Sequence, residues 1–272
     1  MSNESSEAWL DKVEKFTFST FGDIGKIRVG VKTTADKIFI RSDWEDIPEN
    51  ERPEVLKPII THHIARKYRA LEVDRNYQIL YTHLNQDGSR VVINLQDYPK
   101  TAKYLNRYRS ILEKRDYLVS SGRHWFEIWV PQEPALWAKP KIVFRDISCT
   151  PTFWMDLSGA LVNGDCYWLI SEKPENDELL WLALAVANSY FIESFYDFRF
   201  NNKLYSGRRR FMTQYVEKFP IPDPKLSSSQ KIIEATKQIY NLIPNPMAND
   251  LEMVLDRLIW NAFGLSIENI SR

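Results

Sequence analysis

Cysteine is scarce in this 272-residue chain, which carries only Cys149 and Cys166. Two thiols are too few for a disulfide framework, so a reducing cytoplasm is the expected setting. Long apolar runs are also missing. No stretch reaches the roughly 18–20 residues that a membrane-spanning helix needs. The most apolar window, residues 179–195, contains Trp181, Asn188, Ser189 and Glu193 and reads as a buried helix. The opening MSNESSEAWLDK is acidic and polar, unlike the pattern of a secretory signal. Patterns that carry chemistry are equally thin. G-x-G-x-x-G, G-x-x-x-x-G-K-[ST] and G-x-S-x-G do not occur, which removes the usual dinucleotide, phosphate-cradling and nucleophile-elbow loops. His62, His63, His83 and His124 form no zinc spacing with each other or with cysteine. The nearest approaches to a carboxylate–lysine nuclease pattern, Asp223 with Lys225 and Glu217 with Lys218, lie on a proline-rich stretch without a strand to hold them.

Net charge is absent as well: 36 basic residues face 36 acidic ones. The distribution is nevertheless uneven. Residues 99–123 hold seven Lys/Arg against two acids, residues 199–210 hold five and no acid, and residues 57–75 hold five against two. Residues 41–54 balance part of this with six acids and two basic groups. These blocks read either as solvated faces or as a basic cleft. A neutral protein with such a cleft can still bind nucleic acid, because the field near the contact is what acts.

The pattern that is present alternates short strands with single helices. Residues 26–40, KIRVGVKTTADKIFI, are β-branched and apolar, broken by Gly30 and by Thr33-Thr34-Ala35-Asp36, which predicts a two-stranded hairpin. Residues 56–68, LKPIITHHIARKY, show a short helical spacing that breaks at Pro58. Residues 77–84 and 90–95 alternate around Asn85-Gln86-Asp87-Gly88, where the Asp-Gly pair predicts a hairpin. Residues 98–115 place Tyr104, Tyr108, Ile111 and Leu112 near helical spacing, with Pro99 in the first turn.

Further strands are predicted at residues 125–130, 141–144 and 167–171, and a long helix from about Asn176 to Phe198 with acids at its start. Two amphipathic helices, residues 229–243 and 249–263, close the chain around Pro244 and Pro246, with Gly264 as a helix stop. The expected class is therefore α+β, with mixed and antiparallel strands, interspersed helices and a C-terminal helical segment. The expected organisation is a linker over residues 1–24, a main domain over 25–225 and the helical segment over 226–272.

Several segments, in order, resemble one family. KIRVGVKTTADKIFI is similar to the opening strand pair of the TaqI-like specificity domains found on adenine-specific DNA methyltransferases and on fused restriction-modification enzymes. LKPIITHHIARKY resembles the family's turn leading to Ile-x-Arg/Lys-Tyr, with His63 where an acid is commoner. ILYTHL resembles the next strand, and LNRYRSILEKR the basic helix before a Trp-containing strand, matched by Trp125. KPKIVFRDISCTPTFWMD resembles the central strand region, with Lys141, Asp146, Phe153 and Asp156 at matching places. SGRRRFMTQYVEKFPIP and LDRLIWNAFGLSIENI resemble the end of the recognition domain and the closing helix.

The resemblance implies sequence-specific binding of double-stranded DNA, as the target-recognition domain of a restriction-modification system. It also implies a separate catalytic methyltransferase domain, joined through residues 1–24, that binds S-adenosylmethionine and methylates a flipped adenine. The Asn/Asp-Pro-Pro-Tyr/Phe motif of that catalysis is not in this chain; Pro244-Asn245-Pro246-Met247 is the nearest string. No cofactor, metal or membrane is expected for the chain itself.

The candidate DNA-contacting residues are Arg208, Arg209 and Arg210 after a flexible Ser206-Gly207, and Arg107, Arg109 and Arg115 on the basic helix. Lys141 and Arg145 join them on a strand whose other face carries Ile142 and Phe144, together with Arg66 and Lys67. Trp125 and Trp154 read mainly as core. The alternative reading is a protein-interaction module that docks through its apolar helices.

Overall fold

The computed structural model describes residues 3–71, 76–173 and 177–266. The fold is organised by a four-stranded antiparallel sheet in the order Phe153–Asp156, Lys141–Arg145, Cys166–Leu169, Ile27–Val29. Between their ends the three strands Phe153–Asp156, Lys141–Arg145 and Cys166–Leu169 are apolar, as a sheet covered on both faces requires. Side chains alternate between faces, and each face feeds a different core. Ile142, Phe144, Phe153, Met155 and Leu169 face one core. Val143, Trp154, Cys166 and Trp168 face the other.

Helices Asp177–Asn188, Tyr190–Phe200, Ser227–Leu242 and Met247–Ala262 cover the first face. The second face packs on a smaller mixed sheet, ordered Leu161–Val162, Leu56–Ile60, Gln78–Leu80, Ile40–Arg41, and on helix Pro99–Arg107. The α+β expectation holds.

Local predictions fared unevenly. A hairpin forms at the expected turn, with Asp87 and Gly88 both at positive φ (51° and 80°) as a tight two-residue turn requires, but its strands are His83–Gln86 and Ser89–Val92, and Gln78–Leu80 pairs in the outer sheet instead. Helix Pro99–Arg107 begins at Pro99, and both C-terminal helices form. The hairpin predicted over residues 26–40 does not form. Ile27–Val29 joins the central sheet, Asp36–Phe39 makes one helical turn, and Ile40–Arg41 joins the outer sheet. Alternation gave the strands, but long-range partners decided the pairing. Residues 56–60 are a strand, not a helix, with Pro58 tolerated beside Gln78. Of residues 125–130 only Val130 bridges to another segment, at Lys32.

The long helix is two helices, bent by 72° at Ser189. Ser189 Oγ accepts from Ile192 N–H at 3.1 Å and the Asp256 carboxylate accepts from Tyr190 N–H at 2.8 Å, so the second helix is capped twice. Buried Asn188 ties the same corner to the central sheet: its Oδ1 accepts from Phe153 N–H at 3.0 Å and its Nδ2 donates to Phe153 O at 2.9 Å. No single helix among the described residues is long and apolar enough to cross a membrane. The start of that helix at Asn176, the end of the basic block at Arg75 and the tail beyond Ser266 lie outside the described residues.

Residues 3–16 are helical, with Trp9 and Val13 buried against the first core, so this stretch is a packed element instead of an extended tether. The two C-terminal helices share that core through Ile232, Ile239, Leu255 and Ile259.

Polar groups can enter the covered sheet only in pairs. Lys141 is fully buried, its ammonium 2.8 Å from the equally buried Asp156 carboxylate and donating to Trp137 O at 2.8 Å. Breaking such a pair from one side leaves an uncompensated charge. Lys141→Met alone should therefore cost roughly 3–5 kcal/mol, and Lys141→Met with Asp156→Leu much less than the sum. Urea denaturation of the single and double variants checks this; additive losses would show that the two groups do not act as a pair.

A second buried group gives a pH dependence. Burial pulls the His83 imidazole down from 6.5 to about 4, against the opposing pull of Glu127, whose carboxylate lies 3.5 Å away. The folded protein keeps His83 neutral where the unfolded chain would protonate it. This contribution is complete above pH 6.5 and is lost as pH falls towards about 4. Stability should decline over that window, and His83→Gln should flatten the decline in a urea-midpoint series. An unchanged slope would place the acid sensitivity elsewhere.

Candidate nucleic-acid interface

Lys141 begins its strand inside the protein, and Arg145 ends the same strand at an open edge. Around Arg145 the chain brings together segments far apart in sequence. Asp146 follows it directly, and Ile147 pairs with Arg210 across a short two-stranded ribbon. Asp165 and Tyr167 arrive on the neighbouring strand, where Cys166 stands opposite Arg145. His62 arrives on a single 3-10 turn after the strand Leu56–Ile60.

These residues line a shallow hollow with Gly164. A second hollow, lined in part by Lys32, Thr34, Lys37 and Asn163, shares Gly164 and Asp165 with the first. Beside them the backbones of residues 30–32 and 162–164 pack closely, with Val31 N–H donating to Val162 O at 2.7 Å. A Cβ at Gly30 would sit 2.0 Å from Asn163 O, so no other residue fits there without moving that strand.

The acids of the hollow are already engaged. His62 Nδ1 lies 2.5 Å from Asp165 Oδ2, and the His62 and His63 rings stack at 3.9 Å. Arg210 Nε donates to Asp146 at 3.2 Å. Burial and the nearby Asp146 carboxylate raise the Tyr167 hydroxyl above its ordinary pKa. Among the described residues no group of three or more His, Cys, Asp or Glu is placed to hold a metal ion.

The residues singled out from the sequence divide sharply. Arg145 and Arg210 come together at this edge, with Arg208 exposed nearby on the same segment. Arg209 does not join them. It is buried, with Nε and Nη2 donating to Asp197 at 2.8 and 2.7 Å, Nη2 2.9 Å from Glu193, and Nη1 on Cys149 O at 2.6 Å. The arginine run is thus a strand whose side chains alternate in direction, not a mobile loop presenting three guanidinium groups.

Arg115 is also buried, donating to Thr33 O at 2.8 Å and Trp125 O at 2.5 Å, and it braces the loops instead of facing a ligand. Lys141 is inaccessible for the reason given above. The strand that carries it is covered on both faces, so the expected exposed basic face does not exist.

Arg107 and Arg109 are exposed but paired, with Glu51 at 2.8 Å and Glu113 at 2.7 Å, and Arg109 also lies over Trp125 at 5.2 Å. Lys103 shares Glu51 at 2.8 Å, and the two cations together hold that carboxyl down at about 2. The acidic stretch of residues 41–54 therefore neutralises the basic helix it packs on. Arg66 is exposed, while Lys67 donates to Asn188 O at 2.9 Å. Trp154 is fully buried and Trp125 partly so. Sequence reasoning missed His62, Asp165, Tyr167, Lys32 and Lys37, because nothing local links His62 to a carboxylate 103 residues away.

Residues 68–221 match the family of the TaqI-like C-terminal specificity domain. The type II methyltransferase M.BanIII of Aneurinibacillus aneurinilyticus is 39% identical over 97% of this chain and 46% of its own length. M.BstVI of Geobacillus stearothermophilus is 27% identical over 76% of this chain and 35% of its own. The chain thus spans less than half the length of the curated relatives it matches. Among solved structures, the type IIL restriction-modification enzyme MmeI in complex with DNA aligns with TM-score 0.57 and 12% identity, over 92% of this chain and 34% of that one. The type IIG restriction endonuclease BpuSI aligns with TM-score 0.54 and 14% identity, over 96% of this chain and 33% of that one. At such identities the likeness is one of fold. The family resemblance drawn from the ordered motifs holds, and the chain belongs to the TaqI-like C-terminal specificity domains.

Proposed function

We propose that this chain binds duplex DNA sequence-specifically, as the target-recognition domain of an adenine-specific methyltransferase or restriction-methyltransferase fusion. The observation that carries the reading is the open end of the central sheet. There Arg145 and Arg210, with Arg208 beside them, meet the hollow that Lys32 and Lys37 extend, in a chain whose family is named for specificity.

In this reading Arg208, Arg210, Lys32 and Lys37 take phosphates and set the register of the protein on the duplex. The catalytic domain of the same protein supplies S-adenosylmethionine chemistry to an adenine turned out of the stack. The last helix and the helix corner leave Met247, Met253 and Tyr190 between 62% and 69% exposed, and this apolar surface is the one offered to that domain. A reducing cytoplasm suits both partners.

Salt dependence tests the DNA reading. Each phosphate contact contributes about 0.9 to the slope of log affinity against log salt. Replacing Arg208 and Arg210 with Ala should make that slope shallower by about 1.8 in a fluorescence-anisotropy titration. Arg107→Ala, whose guanidinium is held by Glu51, should leave it unchanged. Equal slopes for the wild type and the Arg208/Arg210 variant would move the DNA to another face. No DNA binding at all would favour the protein-interaction module.

A further inference from the structure

Among the described residues that line the hollow beside His62, Arg145 is the charged side chain without an ion pair. Asp146 on one side is held by Arg210, and Asp165 on the other by His62. Among the described residues neither carboxylate forms an ion pair with Arg145, and no other side chain does so. Its Nε is buried and without a hydrogen bond. Leaving such a donor unsatisfied costs on the order of the desolvation penalty of the group, and native structures rarely do so without reason. The backbone beneath it is rigid, because the strand is paired on both sides, with Phe144 opposite both Phe153 and Tyr167. Exposed surface arginines sample many rotamers; this one ends a central strand and is recessed.

The two flanking carboxylates decide what this guanidinium can meet. A phosphate entering between Asp146 and Asp165 would meet a carboxylate on either side, each shared with a single partner, Arg210 or His62. A base edge carries no charge. Guanine presents two acceptors, O6 and N7, at the spacing of the guanidinium fork, and its paired cytosine presents an amino donor that suits a neighbouring carboxylate. On this basis, and resting on the DNA-binding reading above, we infer that Arg145 is a specificity-determining residue that reads the major-groove edge of a guanine, with Asp146 and Asp165 excluding phosphate from it. Arg208 and Arg210 set the position of the duplex, and Arg145 sets what sequence is accepted at one base pair. The His62–Asp165 pair holds the wall of the hollow, so His62 is a positioning residue.

The test is selection from a randomised duplex library by the wild-type chain, by Arg145→Lys and by Arg145→Ala, followed by affinity measurements across salt. Wild type should select a G·C pair at a position that both variants no longer discriminate, with a loss of about five- to 150-fold against the preferred site. The salt slope should stay the same, since no phosphate contact is lost. Arg145→Lys keeps the charge and removes the fork, so it guards against a fold defect. A duplex carrying 7-deazaguanine at that position, which lacks the N7 acceptor, should bind wild type more weakly and Arg145→Ala no differently from guanine.

A uniform loss across all sequences with a slope shallower by about 0.9 would make Arg145 a phosphate contact and overturn the inference while leaving DNA binding in place. A wild-type motif unchanged in both variants would overturn it as well. Failure of the wild-type chain to select any duplex would remove the DNA reading itself, and this inference with it.

Discussion

The central sheet is buried on both faces, and most of what is unusual in this protein follows from that. A doubly covered strand has nowhere to place a charge except at its ends or against a counter-charge. The strand Lys141–Arg145 shows both solutions. At its inner end Lys141 meets Asp156 and is neutralised without water. At its outer end Arg145 has no ion pair among the described residues, although two carboxylates stand beside it. The same strand therefore spends one cation on the fold and leaves the other at the edge where the chain brings its remaining polar groups together. Asn188 plays the corresponding part for the helical layer, closing the edge of the sheet with hydrogen bonds that an apolar residue could not make.

Charge is managed by the same rule of local pairing. The chain is neutral, yet its sequence segregates acids and bases into blocks. Folding brings the acidic stretch of residues 41–54 onto the basic helix Pro99–Arg107, where Glu51 takes Lys103 and Arg107 and Glu54 accepts from Thr101 N–H. That basic block is consequently an internal matter. Arg209 is spent likewise on Asp197 and Glu193.

Family membership and fold agree with this division of labour. The sequence relatives are type II methyltransferases about twice the length of this chain or more, and the fold recurs in a type IIL restriction-modification enzyme and a type IIG restriction endonuclease at sequence identities of 12% and 14%. At such identities the shared feature is the fold.

The sequence by itself determined the class of fold, the hairpin at Asp87-Gly88, the proline-started helix, the C-terminal helices and the family, since each is carried by local periodicity, turn chemistry or an ordered run of motifs. It could not determine which cations were available. Three consecutive arginines look alike in sequence, but strand alternation sends Arg209 into the protein while Arg208 and Arg210 stay outside. The bend at Ser189 was equally hidden, because its cap is completed by Asp256 from a helix 66 residues away. The hairpin expected at residues 26–40 failed because strand pairing is settled by distant partners, here residues 166–169 and 78–80. Tertiary structure alone decided that His62, Arg145 and Asp165 share one hollow, since burial and charge pairing are properties of neighbours in space, and those neighbours come from widely separated parts of the chain.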